Sequence, residues 1–144
     1  MTHQDAPAYA GKHASGEKPD PAIAQAVRKL VTGTEVTCVQ AFEVSDELMR
    51  EPGEVGKNLD LLNLKLVKCQ LGLFGYSPKK SIVRPAEKVS DKLKAAIENR
   101  LVEGRLSCAD AWAIADQFRL KKMDVSSAAE ALKIPIKPCQ LGAF

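Results

Sequence analysis

Four cysteines, at positions 38, 69, 108 and 139, are the residues of this chain best equipped for chemistry. Their intervals are 31, 39 and 31 residues, so no Cys-x-x-Cys pair exists and the spacing is not that of a zinc ribbon. Two of them open the same peptide, Cys69-Gln70-Leu71-Gly72 and Cys139-Gln140-Leu141-Gly142. Lys68 directly precedes Cys69 and Lys137 stands two residues before Cys139. A neighbouring positive charge favours a thiolate, the form that attacks electrophiles and binds soft metals, so one reading makes Cys69 and Cys139 a redox or metal-binding pair. The other reading is packing. Leu71 and Phe74 then dock into a core, Gly72 and Gly142 take a backbone conformation other residues disfavour, and each cysteine is a small buried hydrophobe.

The second group with chemical potential is basic. Residues 22 to 64 carry four basic and seven acidic side chains, whereas residues 65 to 100 carry nine basic and three acidic. Within that stretch Lys65, Lys68, Lys79, Lys80 and Arg84 are candidates for phosphate contacts, with Lys88, Lys92 and Lys94 beyond them. Phe74 and Tyr76 offer stacking faces for an unpaired base. Glu87 and Asp91 interrupt the run and the net charge is only +3, so a solvated connector that merely keeps the chain soluble is the competing reading. His3 and His13 have no partner at ligand spacing. No carboxylate pair accompanies a histidine, and neither a phosphate-cradling glycine loop nor a Gly-x-Ser-x-Gly elbow is present. An enzyme is therefore not expected, nor is any cofactor.

The elements that must hold these residues come in two copies. Sliding the sequence against itself by 70 positions aligns residues 22–74 with 92–144 without a gap and gives eleven identical pairs, among them Cys38/Cys108, Ala41/Ala111, Asp46/Asp116, Val55/Val125, Leu62/Leu132 and the whole Cys-Gln-Leu-Gly peptide. Ile23, Val27 and Val31, matched by Leu93, Ile97 and Leu101, form a stripe of helical period, with Pro21 just before the first copy. Gly33 and Gly104 are expected to end these helices. A second helix follows Thr37 or Ser107 as its cap, with a stripe of Cys38, Ala41, Phe42, Ser45 and Leu48 in one copy and Cys108, Ala111, Trp112, Ala115 and Phe118 in the other. A third helix carries Val55, Leu59 and Leu62, or Val125, Ala129 and Leu132, and Ser127 to Glu130 has the spacing of a capping box. Ile134-Pro135-Ile136-Lys137-Pro138 must be extended, and Leu64 to Lys68 reads as a short strand.

The fold expected is all-α in the main, two pseudo-symmetric three-helix units with short extended segments. Residues 1–21 are read as a disordered tail, 22–74 as the first unit, 75–91 as a basic connector and 92–144 as the second unit. The stretch Met123 to Ile134, preceded by the helix over 108–118, resembles the first part of a helix-turn-helix domain, here duplicated in tandem. That resemblance implies a regulatory, DNA-binding module. The family's recognition helix would follow at Ile134, where this sequence turns extended, so phosphate contacts rather than base reading are expected. A protein-interaction adaptor is the remaining alternative. No apolar run approaches the roughly 18–20 residues of a membrane span, the N-terminus lacks a secretory pattern, and a cytoplasmic location with reduced thiols is the default expectation.

Overall fold

The computed structural model describes residues 17–77 and 81–143. The chain is mainly helical, with six helices and one two-stranded sheet among the described residues. Its described residues divide into two compact units, 17–69 together with Leu141–Ala143, and those within 70–140.

Unit 1 opens with α1, Pro21–Leu30. Asp20 caps it: its carboxylate accepts from the backbone N–H of Ala22 at 2.8 Å and of Ile23 at 3.3 Å, while Pro21 occupies the first turn, where its missing N–H costs nothing. Arg28 and Lys29 in the last turn complement the helix dipole. Burial of Ile23, Ala24, Ala26 and Val27 fixes the inward face. After β1, Glu35–Thr37, comes α2, Cys38–Leu48, which starts in a complete capping box: Gln40 N–H donates to Thr37 Oγ1 at 3.1 Å and Thr37 N–H to Gln40 Oε1 at 3.0 Å. Met49 turns left-handed at φ 53° and stops the helix. Pro52 then starts α3, Pro52–Leu61, and β2, Lys65–Val67, pairs in parallel with β1 in the register Glu35 to Lys65, Val36 to Leu66 and Thr37 to Val67.

Unit 2 runs through the connector to α4, Asp91–Asn99, capped by Ser90, whose Oγ accepts from Leu93 N–H at 3.2 Å. Its α5, Cys108–Phe118, is capped by Ser107 and ends at Arg119 in the left-handed region, and α6, Lys122–Ala131, follows. A parallel bridge joins Leu106 to Ile136. The bounds of α5 and α6 are those of α2 and α3 shifted by 70 residues, and the bridge is the Val36–Leu66 pair shifted likewise. The element order inferred from the repeat therefore recurs in both units, including the left-handed turn residues Met49 and Arg119 and again Asn63 and Lys133.

Several local expectations need correction. Ser127 does not cap the third helix: α6 begins at Lys122, where Asp124 accepts from Lys121 N–H at 3.0 Å, and Ser127 lies inside it. Gly104 does not terminate α4. It occupies, with Glu103, a tight turn closed by paired hydrogen bonds between Val102 and Arg105, in which both central residues have positive φ. On α2 and α5 the fully covered large side chains are Val44 and Ile114, whereas Phe42 and Trp112 are half-buried. The buried arc is rotated from the expected stripe, toward Val44 and Ile114 and away from Phe42 and Trp112, because the neighbouring helices and not the period alone decide which face is covered. The strand β1 escapes sequence reading because it is three residues long and its only buried residue is Val36.

Candidate functional site

Each copy of the repeated peptide lies against a third helix. In unit 1 the backbone of Leu141 packs on α3 at Gly56: a Cβ added to Gly56 would overlap the Leu141 carbonyl oxygen and stand 2.6 Å from its carbonyl carbon. In unit 2 the residue 70 positions on is Ser126, 1% exposed, and its Oγ donates to the Leu71 carbonyl at 2.6 Å. Leu71 is 0% exposed and Leu141 3%. The leucine of the repeated peptide is thus an anchor in both units, whereas Phe74, expected to dock into the core beside Leu71, is half-buried. Gly72 and Gly142 have φ of 78° and 80°, a region costly for residues with a Cβ. They differ in surroundings. A Cβ on Gly72 would come within 2.8 Å of Met123 Sδ, whereas one on Gly142 would meet nothing within 4 Å.

The four cysteines are thiols, and Cys38, Cys69 and Cys108 are buried while Cys139 is half-buried. Cys69 is therefore enclosed, with Lys68 pointing to solvent from a left-handed backbone position. Gln140 Nε2 lies 3.4 Å from Cys108 Sγ, and Cys108 N–H donates to the Pro138 carbonyl at 3.0 Å, which ties the peptide of the second copy to the start of α5. Gln70 is half-buried beside Leu71. Among the described residues no group of three or more His, Cys, Asp and Glu side chains is arranged to hold a metal ion.

The basic candidates are divided. Lys65 lies in β2 and reaches Glu35 at 4.0 Å, and Lys68 is exposed, both within unit 1. Arg84 is exposed in the connector of unit 2, where it lines a surface cavity with Lys88, Leu120, Asp124 and Ser127. Lys79 and Lys80 lie outside the described residues. The connector is held at three places: Ile82 N–H and Ser81 Oγ both donate to the Gly72 carbonyl, at 2.9 Å and 3.2 Å, and Ala86 N–H donates to the Ser127 carbonyl at 3.0 Å. It therefore runs along α6 at Ser127.

Two features were not singled out from the sequence. Gly56 and Ser126 are the contact points of the repeated peptides, and the signal that was available is a glycine inside a helical pattern, which marks close approach of another backbone. The second is a charged cluster at the start of unit 1. Arg50 Nη1 donates to Glu54 at 2.6 Å and to Asp20 at 3.1 Å, and Asp20 N–H donates to Asn58 Oδ1 at 2.6 Å. The Ile23 backbone N–H, joined by that of Ala22 and by Arg50, holds the Asp20 carboxyl below the ordinary aspartate value against the opposing effect of desolvation. In unit 2, Lys122 Nζ stands 4.5 Å from the Trp112 ring centroid, a cation–π contact.

Among the described residues no helix is long and apolar enough to cross a membrane. Comparison with protein-family models, with curated proteins and with solved structures returns no match to this chain.

Proposed function

We propose that this chain is a non-catalytic binding module of two pseudo-symmetric helix-turn-helix-like units, and that unit 2 holds nucleic acid through the phosphate backbone. The observation that carries this reading is the charge difference between the units. Residues 70–140 hold thirteen basic and eight acidic side chains, residues 17–69 seven basic and nine acidic. In unit 1 much of the positive charge is already engaged, with Arg50 between Asp20 and Glu54, Lys57 at 2.8 Å from Glu17 and Lys65 facing Glu35. In unit 2, among the described residues, Arg84, Lys88, Lys92, Lys94, Arg119, Lys133 and Lys137 have no carboxylate within 4.0 Å. Charges left unpaired on an exposed surface are the ones that displace counterions from a polyanion.

The helix pair α5 and α6, joined at the left-handed Arg119, supports the likeness to the first part of a helix-turn-helix, and among the described residues no helix follows α6 in the place of a recognition helix, the chain there pairing through Ile136. Nor is α6 itself suited to reading bases. The connector runs against it at Ser127, and its exposed side chains include Asp124 and Glu130. Backbone contact without base reading is therefore the expected mode, in a regulatory role that tolerates many sequences.

The test is fluorescence anisotropy of two unrelated labelled duplexes with the full chain, titrated in salt from about 50 to 200 mM, a range over which phosphate-dominated binding weakens steeply. Replacing Lys79, Lys80 and Arg84 together with Ala should weaken both duplexes alike and reduce the salt slope by up to about 2.7, at ~0.9 per lost phosphate contact. Absence of wild-type binding at the lowest salt would remove the reading.

A further inference from the structure

The repeated peptide and its contact point form a receptor and ligand that this chain uses twice. The receptor is the third helix of each copy, at Gly56 on α3 and at Ser126 on α6. The ligand is the leucine of Cys-Gln-Leu-Gly. In neither unit does the ligand come from the sequence copy that supplies the helix: α3 belongs to the first copy and holds Leu141 of the second, while α6 belongs to the second and holds Leu71 of the first. Unit membership agrees, since Leu141–Ala143 belongs with unit 1 and Gln70–Gly72 lies in unit 2. Recognition is therefore between separate stretches of sequence, and covalent continuity between helix and peptide is not part of the contact.

The two receptors are matched to their ligands by opposite means. On α3, removal of the side chain lets a carbonyl oxygen rest where a Cβ would be, so the helix and the Leu141 backbone touch directly. On α6 a hydroxyl fills that space and donates to the carbonyl of Leu71. In both, a leucine that is almost wholly buried supplies apolar area, and a left-handed glycine follows it.

We propose that the Gly56 face of α3 is a recognition site for the Leu141–Ala143 segment that accepts this segment from a second copy of the chain as well as from its own, giving a segment-exchanged dimer. In one chain the tether holds the segment near its site at an effective concentration on the order of millimolar, so self-docking masks exchange at ordinary protein concentrations. Two complementary variants remove the mask. Gly56→Ala closes the receptor and leaves the segment intact. Leu141→Asp spoils the segment and leaves the receptor intact.

The experiment is sedimentation velocity on each full-length variant alone and on their equimolar mixture at about 50 µM, well under the tethered effective concentration. Each alone should run as a monomer and the mixture should form a 1:1 dimer, with the Gly56→Ala chain lending its segment to the Leu141→Asp chain. The mixture remaining monomeric, with both variants retaining wild-type helical circular dichroism, overturns the proposal. A labelled synthetic peptide of residues 137–144 gives a second reading. It should bind full-length Leu141→Asp at least tenfold more tightly than wild type and should not bind the Gly56→Ala/Leu141→Asp double variant. Should Leu141→Asp lose its helical signal, the peptide is titrated against wild type, where saturation by about millimolar peptide supports the proposal and no binding up to that concentration overturns it.

Discussion

Replacing Ser126 with Ala removes one hydroxyl from the buried face of α6 and keeps the Cβ, so packing changes little. What is lost is the 2.6 Å hydrogen bond to the Leu71 carbonyl. The same hydroxyl lies 3.1 Å from the Met123 carbonyl and 3.5 Å from that of Lys122, but its single proton serves the shortest contact first. A typical hydrogen bond contributes a net 0.5–1.5 kcal/mol, roughly, and a buried acceptor left without a partner costs about 1–3 kcal/mol. Leu71 is 0% exposed and Ser126 1%, so water does not readily replace the lost donor. The expected cost is about 1–2 kcal/mol, near the middle of the range, because a carbonyl's second lone pair tolerates imperfect partners. Urea unfolding followed by Trp112 fluorescence reads this directly, since the chain's one tryptophan lies on α5 of unit 2. If that unit unfolds as a cooperative body of its own, the thermal midpoint should fall by roughly 4–8 °C per kcal/mol. The control is Ser127→Ala, one residue along the same helix, where the bond to Ala86 N–H is made by the backbone carbonyl and survives the substitution. The reasoning fails if Ser126→Ala shifts stability by no more than the control does.

Asp20→Ala should lower stability at neutral pH, through loss of the α1 cap and of the link to Arg50. Because the folded carboxyl titrates below its unfolded value, that contribution is present above the unfolded pKa and is lost as pH falls through the folded one, so wild type and variant should converge in acid unfolding curves below the ordinary carboxylate range; a constant difference down to strongly acidic pH would contradict the assignment. Timed alkylation of the native chain should label Cys139 first and Cys38, Cys69 and Cys108 together and later, since those three are buried; early labelling of Cys69 would mean that its enclosure is wrongly described. Gly72→Ala and Gly142→Ala both incur the left-handed penalty of about 1 kcal/mol. Gly72 also crowds Met123 Sδ, but that side chain is flexible and partly exposed and can swing aside, so calorimetry should find the two costs within about 1 kcal/mol of each other, and a much larger cost for Gly72→Ala would refute this.

Much of the local structure was legible because it depends on short-range chemistry. The caps Thr37 and Ser107, the helices they open, the extended run at Ile136 and the 70-residue recurrence all follow from residues within a few positions of one another. The chemistry of the cysteines was legible only as a pair of alternatives. Cys69 and Cys139 share a peptide and a nearby lysine, yet one is enclosed and the other half-exposed. Exposure depends on what the rest of the chain lays over a residue, and no local pattern encodes that.

By itself the sequence determined the periodic faces, the breaks between them and the fact of duplication, since helical period, proline and capping chemistry act through the backbone of a single segment. Only the tertiary structure decided where the repeated peptides go. Leu141 could be recognised as an anchor from its repetition, but its seat on Gly56, 85 positions away, follows from close approach of two backbones, and Leu71 finds Ser126 across an interval of 55. Such contacts are set by which surfaces bury the most apolar area while satisfying every carbonyl, a condition on the whole chain rather than on any window of it.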